Sequence, residues 1–181
     1  MHFNIKWRLI YLTFGIVAFL IAYSSGAAID MNKREAENLK LQFTNQIKDI
    51  DQNGIFINNI KIALGMFIPI FGDGLGIFTG FSTGMVVSAI TKTSLITLPP
   101  WIVLITPFGI MEVFVYGLAM SRSGIMVYQL AKKKPWRDYV IPMLVEVGIA
   151  VILLLAAALI EWQMVKHYDS LHSSPHITKF R

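Results

Sequence analysis

The apolar residues of this chain fall in long runs, and the polar residues gather between them. An α-helix rises about 1.5 Å per residue, so roughly 20 apolar residues are needed to cross the hydrocarbon core of a bilayer. The first run, about 8–28, is entered behind Lys6, Trp7 and Arg8 and predicts a crossing. Its apolar centre is short and Gly26-Ala27-Ala28 resembles a small-residue cleavage site, so a removed secretory signal is the competing reading. A polar stretch follows in which Leu39, Phe43, Ile47 and Ile50 fall on one helical stripe. It predicts an amphipathic helix over about 31–51, lying on the bundle or the interface.

From Gly54 to Thr91 the chain is nearly all apolar, too long for one crossing, and broken by Gly72-Asp73-Gly74. Glycines supply positive φ and a carboxylate is cheap only near water, so this tripeptide predicts a turn between crossings at about 54–71 and 74–91. Pro69 lies close to that turn, where a lost hydrogen bond is most easily tolerated. Two registers compete next: a crossing over 100–120, or a dip over 99–106 followed by a helix over 107–131. Pro107 at a first helical position, and a direct exit into Lys132-Lys133-Lys134-Pro135-Trp136-Arg137, favour the second. A last run occupies about 138–161.

The expected architecture is all-α: a polytopic transmembrane bundle of five spans with one external amphipathic helix. It forms a single domain over 1–165, with a polar external tail over 166–181. Composition agrees, since 55% of residues are hydrophobic and only 15% charged, where a soluble domain carries about 25% charged. Mean hydropathy is +0.58. The chain has no cysteine, which excludes disulfides, thiolate metal sites and thiol nucleophiles. The net charge of +5 acquires meaning through placement. The densest positive blocks, Lys6/Arg8 and Lys132 to Arg137, share a side if four crossings separate them, which puts the N-terminus in the cytoplasm and the C-terminus outside. Lys132, Lys133, Lys134 and Arg137 then face anionic headgroups. Trp7, Trp101, Trp136 and Trp162 all stand at ends of apolar runs, as an interfacial belt requires.

Four ionisable residues interrupt the runs: Lys61, Glu112, Arg122 and Glu146. Each costs about 2.5–3.5 kcal/mol at mid-bilayer, so unpaired charges are untenable. Counting along the helices puts Lys61 and Glu112 roughly 8–11 Å below the outer surface, and Arg122 and Glu146 about 12–14 Å from the inner one. Contacts Lys61–Glu112 and Arg122–Glu146, direct or through one polar side chain, are therefore expected. Such pairs either fix helix register or line a polar path for ions. Asn58 and Asn59, just above Lys61, can hydrogen-bond to neighbouring helices and serve either role. Gly76, Gly80 and Gly84 recur every fourth residue, a flat strip that lets another backbone approach; Gly109 is a further packing glycine.

The opening Ile57-Asn58-Asn59, the glycine-rich crossings and Pro107-Phe108-Gly109-Ile110-Met111-Glu112, with Gly117 and Gly124 following, resemble the stage II sporulation protein M family over about 54–164. The resemblance implies a five-span integral membrane protein. It also implies a membrane component that works beside cell-wall-degrading partners in engulfment, rather than a hydrolase. Family members usually carry histidine where this chain has Phe108, so no histidine-dependent role is implied.

Enzyme signals fail on their chemistry. Gly80-Phe81-Ser82-Thr83-Gly84 matches GxSxG, but that elbow belongs between a strand and a helix, and no histidine lies in a span to act as base. Phe71-Gly72-Asp73-Gly74 lacks a second membrane aspartate to share a proton. His167, Asp169, His172 and His176 fit no defined metal motif. The expectation is a non-enzymatic scaffold or assembly subunit without cofactor or metal. Its partners would be membrane lipids, membrane or extracytoplasmic proteins or a second copy of itself, and not nucleic acid. A small channel or transporter built on the embedded charges is the alternative.

Overall fold

The computed structural model describes residues 5–47, 51–94 and 99–172. Among them it is helical throughout: α1 (Ile5–Ala27), α2 (Lys33–Ile47), α3 (Gln52–Met66), α4 (Phe71–Thr93), a 3-10 turn (Pro100–Ile105), α5 (Pro107–Ala131) and α6 (Arg137–His172). Local chemistry sets several of these boundaries. Asn32 and Glu35 cap α2 reciprocally, each side chain accepting from the other's backbone N–H at 2.9 Å. Asp51 caps α3 by accepting from the Gly54 N–H at 2.8 Å. Thr106 accepts from the Gly109 N–H at 3.1 Å, and Pro107 occupies the first position of α5, where its missing donor costs nothing. The dip-then-helix register over 99–131 is thus the one adopted.

Helix α5 is the axis of the bundle, touching α1, α3, α4, α6 and the 3-10 turn. Around it Phe19, Ala63, Met66, Phe67, Val115, Tyr116, Ala119, Met120, Ala150 and Leu154 form the core. Large apolar side chains point the other way on every long helix, among them Phe14, Ile21, Phe78, Leu144 and Ile152. That exposed apolar coat suits acyl chains rather than water.

Four helices are long and apolar enough to cross a membrane: Ile5–Ala27, Phe71–Thr93, Pro107–Ala131 and the stretch Arg137–His167 of α6. Helix α3, with 15 residues, falls short of that length. The break between α3 and α4 also differs from expectation. Gly72, Asp73 and Gly74 lie inside the first turn of α4, and the chain reverses over 67–70 instead. Pro69 supplies no N–H and disfavours a helical residue before it, and Ile70 takes φ 71°. Gly72 is needed for proximity rather than for positive φ, since a Cβ there would overlap the Met66 carbonyl. Helix α6 runs on past 161 to His172, so the first residues assigned to a polar tail continue the helix; those after 172 lie outside the described residues, as does Ile50 of the amphipathic stripe. Helix α2 lies against α4 with Ala36 fully buried and Leu39 and Phe43 half-buried.

The glycine strip works as its spacing implies, on two neighbours. A Cβ on Gly84 would strike the Tyr23 carbonyl, and one on Gly26 the Phe81 carbonyl, so α1 and α4 run backbone against backbone. Gly80 meets Phe19 and Ala22 of α1, while Gly76 receives Met120 of α5. Gly15 and Gly117 mark the crossing of α1 and α5. Gly109 packs locally, against the Val103 carbonyl of the 3-10 turn.

Candidate functional site

The sequence of α6 carries one acid, Glu146, in the middle of an apolar stretch, and the fold gives it two cations. Arg122, from α5, donates through Nε to Glu146 Oε2 at 2.8 Å and through Nη2 to Oε1. Arg8, from α1, donates through Nε to Oε1 at 2.7 Å and through Nη2 to Oε2 at 2.8 Å. Both guanidiniums therefore grip the same carboxylate in the planar, two-bond manner that arginine favours. Arg8 Nη1 also donates to Ser121 Oγ at 2.7 Å, and Ser121 donates onward to the Leu118 carbonyl at 2.8 Å. The side chains of Arg122, Glu146 and Arg8 are 5%, 11% and 13% exposed. In so apolar a setting an unpaired ion is costly, and this one is closed on every side by charge-assisted bonds. Three helices are tied at one point.

The Arg122–Glu146 pair matches the depth count; the role of Arg8 does not, since it reads as a flanking charge in the sequence. Two embedded cations already balanced two embedded anions, so nothing called for a third. Its position one turn inside α1, level with Glu146 on α6, is the signal that could have shown it.

Nearer the other end of the bundle, Glu112 accepts from Asn59 Nδ2 at 2.6 Å. Lys61 and Glu112 form no direct ion pair. Lys61 lies on an exposed face of α3 and makes no ion pair among the described residues, because Asn59, two residues earlier, occupies the face that meets α5. Asn58 is exposed too, at 3.5 Å from Asn59 Oδ1. The basic loop is exposed: Lys132, Lys133, Lys134 and Arg137 all face outward, with Lys132 over the Tyr128 ring at 6.0 Å and Arg137 over the Trp136 ring at 5.5 Å. Ser82 lies in the middle of α4, and the glycines flanking it are packing contacts, so no nucleophile elbow exists.

These features define a helical integral membrane protein with an ionic lock inside its bundle. The chain belongs to the stage II sporulation protein M family, whose model matches residues 9–162. The match reaches back through α1 and α2, so Arg8 stands at its very edge and Arg122 and Glu146 lie within it. No curated protein and no solved structure matches this chain.

Proposed function

We propose that this protein is a non-enzymatic membrane scaffold that holds partner proteins on its lateral faces and on α2. The observation that carries the reading is the sealed ion triad. A conduit needs embedded charges that face water or exchange partners, whereas Arg8, Glu146, Arg122 and Ser121 are bonded to one another and to the backbone. Such a centre fixes helix register.

The chain would pass the membrane five times, through α1, α3, α4, α5 and α6, with the N-terminus cytoplasmic and the C-terminus external. Contacts support this alternation: α1 runs with α4 (Phe19 by Gly80, Tyr23 by Gly84), and against α5 (Arg8 by Ser121, Gly15 by Gly117). Helix α3 runs with α5, from Asn59 beside Glu112 to Ile68, whose carbonyl accepts from Ser123 Oγ at 3.0 Å. Short as it is, α3 with the turn after it covers that whole depth. Residues 1–28 would be retained, because Arg8 supplies one of the two guanidiniums that bind Glu146. Lys132, Lys133, Lys134 and Arg137 would meet cytoplasmic headgroups. The outward face of α2, with Arg34, Glu37 and Leu41, would be an external contact surface.

Purification in mild detergent with identification of co-purifying proteins, beside ion-flux assays in proteoliposomes, tests this. A stoichiometric companion lost on mutating Arg34, Glu37 and Leu41 together, with no flux above protein-free vesicles, is the expected result. Selective flux from the purified protein alone overturns it.

A further inference from the structure

Of the four ionisable residues that interrupt the apolar runs, three are met inside the bundle: Arg122 and Glu146 bond to each other, and Glu112 accepts from Asn59. Lys61 is not. It is exposed, and the ion pairs among the described residues join Arg8, Arg122, Lys92, Asp30 and Glu146 without it. With α3 as a span, Lys61 stands roughly 8–11 Å below the outer surface and faces away from its own bundle. Ionisable residues at such depth almost always face other helices or a watery cavity.

The residues around Lys61 form a pattern. Ile57, Lys61 and Leu64 follow at i, i+4 and i+7, all exposed, and Ile68 in the turn after α3 extends the stripe. That is the spacing by which one helix presents anchors to another. Asn58 stands beside Lys61, one turn nearer the surface, and its side-chain amide has only a long 3.5 Å contact with Asn59 Oδ1. A lysine can lift its ammonium towards headgroups along a flexible stem, but an asparagine amide has no such reach. A polar side chain on an adjacent helix satisfies both, and the ammonium, which has donors alone, calls for an anionic acceptor. A second copy does not supply one, because a two-fold contact centred on this face sets Lys61 against Lys61.

We infer that the outward face of α3, with Asn58 and Lys61 between Ile57 and Leu64, docks a transmembrane helix of a different protein that carries a carboxylate at the depth of Lys61. The inference rests on the five-span scaffold reading and gives it one definite lateral face. Ammonium and carboxylate neutralise each other away from water, Asn58 bonds across the interface, and Ile57 and Leu64 pack on either side. The charge fixes the depth at which the partner sits, and the two apolar anchors fix its side.

Dansyl-labelled, leucine-rich transmembrane peptides with a single Glu, Gln or Lys roughly 10 Å from the outer end are the probe, in zwitterionic vesicles holding the full-length protein. Energy transfer from its tryptophans should show saturable binding of the Glu peptide, with the Gln peptide roughly tenfold weaker and the Lys peptide weaker still. Lys61→Met should level the Glu and Gln peptides. Lys61→Glu should reverse the order in favour of the Lys peptide, a reversal that a misfolded protein does not give. Peptides that bind alike, or not at all, overturn the docking face. So does a Lys61-dependent preference for anionic lipid in place of any peptide preference, which assigns the ammonium to headgroups. The chain has no cysteine, so Leu64→Cys reports on the span itself. If it resists a membrane-impermeant maleimide, a docking failure counts against this inference alone; ready labelling overturns the span and the inference together.

Discussion

Replacing Glu146 by glutamine should be among the most damaging single changes in this protein, although it alters one atom. The carboxylate takes two bonds from Arg8, at 2.7 and 2.8 Å, and two from Arg122. Glutamine leaves one acceptor oxygen for two guanidiniums and turns an NH₂ group against the others. Two cations, both nearly excluded from solvent, then face each other without a counter-charge. Removing one partner of a buried ion pair costs about 3–5 kcal/mol. For a chain of this size that corresponds to roughly 6–20 °C in melting temperature. Thermal unfolding in detergent, followed by tryptophan fluorescence and by loss of the monodisperse elution peak, measures it. The triple variant Arg8→Met, Arg122→Met, Glu146→Met is the counterpart, because matched apolar replacement of a buried ion cluster is neutral or stabilising by about 1–4 kcal/mol. A single variant melting within about 2 °C of the parent, less than 1 kcal/mol on the same scale, would refute the reasoning. So would a triple variant as unstable as the single one.

Further expectations follow from the packing. Gly84→Ala should destabilise by about 1–3 kcal/mol in the same assay, because its Cβ would overlap the backbone of α1. Gly74→Ala, with nothing within 4 Å of the added carbon, should instead be neutral or gain up to about 1 kcal/mol. Asn59→Ala removes the side-chain hydrogen bond donated to Glu112 and should cost about 1–3 kcal/mol, whereas Asn58→Ala, on an exposed face, should stay within about 0.5 kcal/mol. Ile70→Gly should raise the melting temperature, since Ile70 holds φ 71° while 80% exposed, and glycine relieves about 1 kcal/mol of backbone strain without loss of packing.

The turn between α3 and α4 shows where reading the chain succeeds and where it stops. A break in the 54–91 run is legible from the presence of Pro69 and three clustered polar or glycine residues. Its place is not, because glycine serves equally for positive φ and for close approach, and only the neighbours show which. Here the Met66 carbonyl and the Ser123 side chain press on Gly72, so the glycine belongs to packing and an isoleucine takes the positive φ. The start of α5 at Pro107 was legible to the residue, because a proline suited to a first helical position and a basic exit at the far end agree on one register.

What the sequence alone determined is the medium and the depth of each charge. Runs of apolar residues dictate acyl surroundings, the 1.5 Å rise converts residue counts into depth, and Arg122 and Glu146 meet because both counts agree. The tertiary structure alone decided azimuth: which way each side chain turns around its helix. Lys61 and Asn59 lie two residues apart on α3 at similar depth, yet a rotation of about 200° separates their faces, so one meets Glu112 and the other faces outward. Arg8 enters the ionic lock for the same reason, since Gly15 and Gly117 let α1 lie close enough along α5 for its guanidinium to reach Glu146. Depth is a sum along one helix and can be read from the chain, whereas facing depends on how several helices pack together.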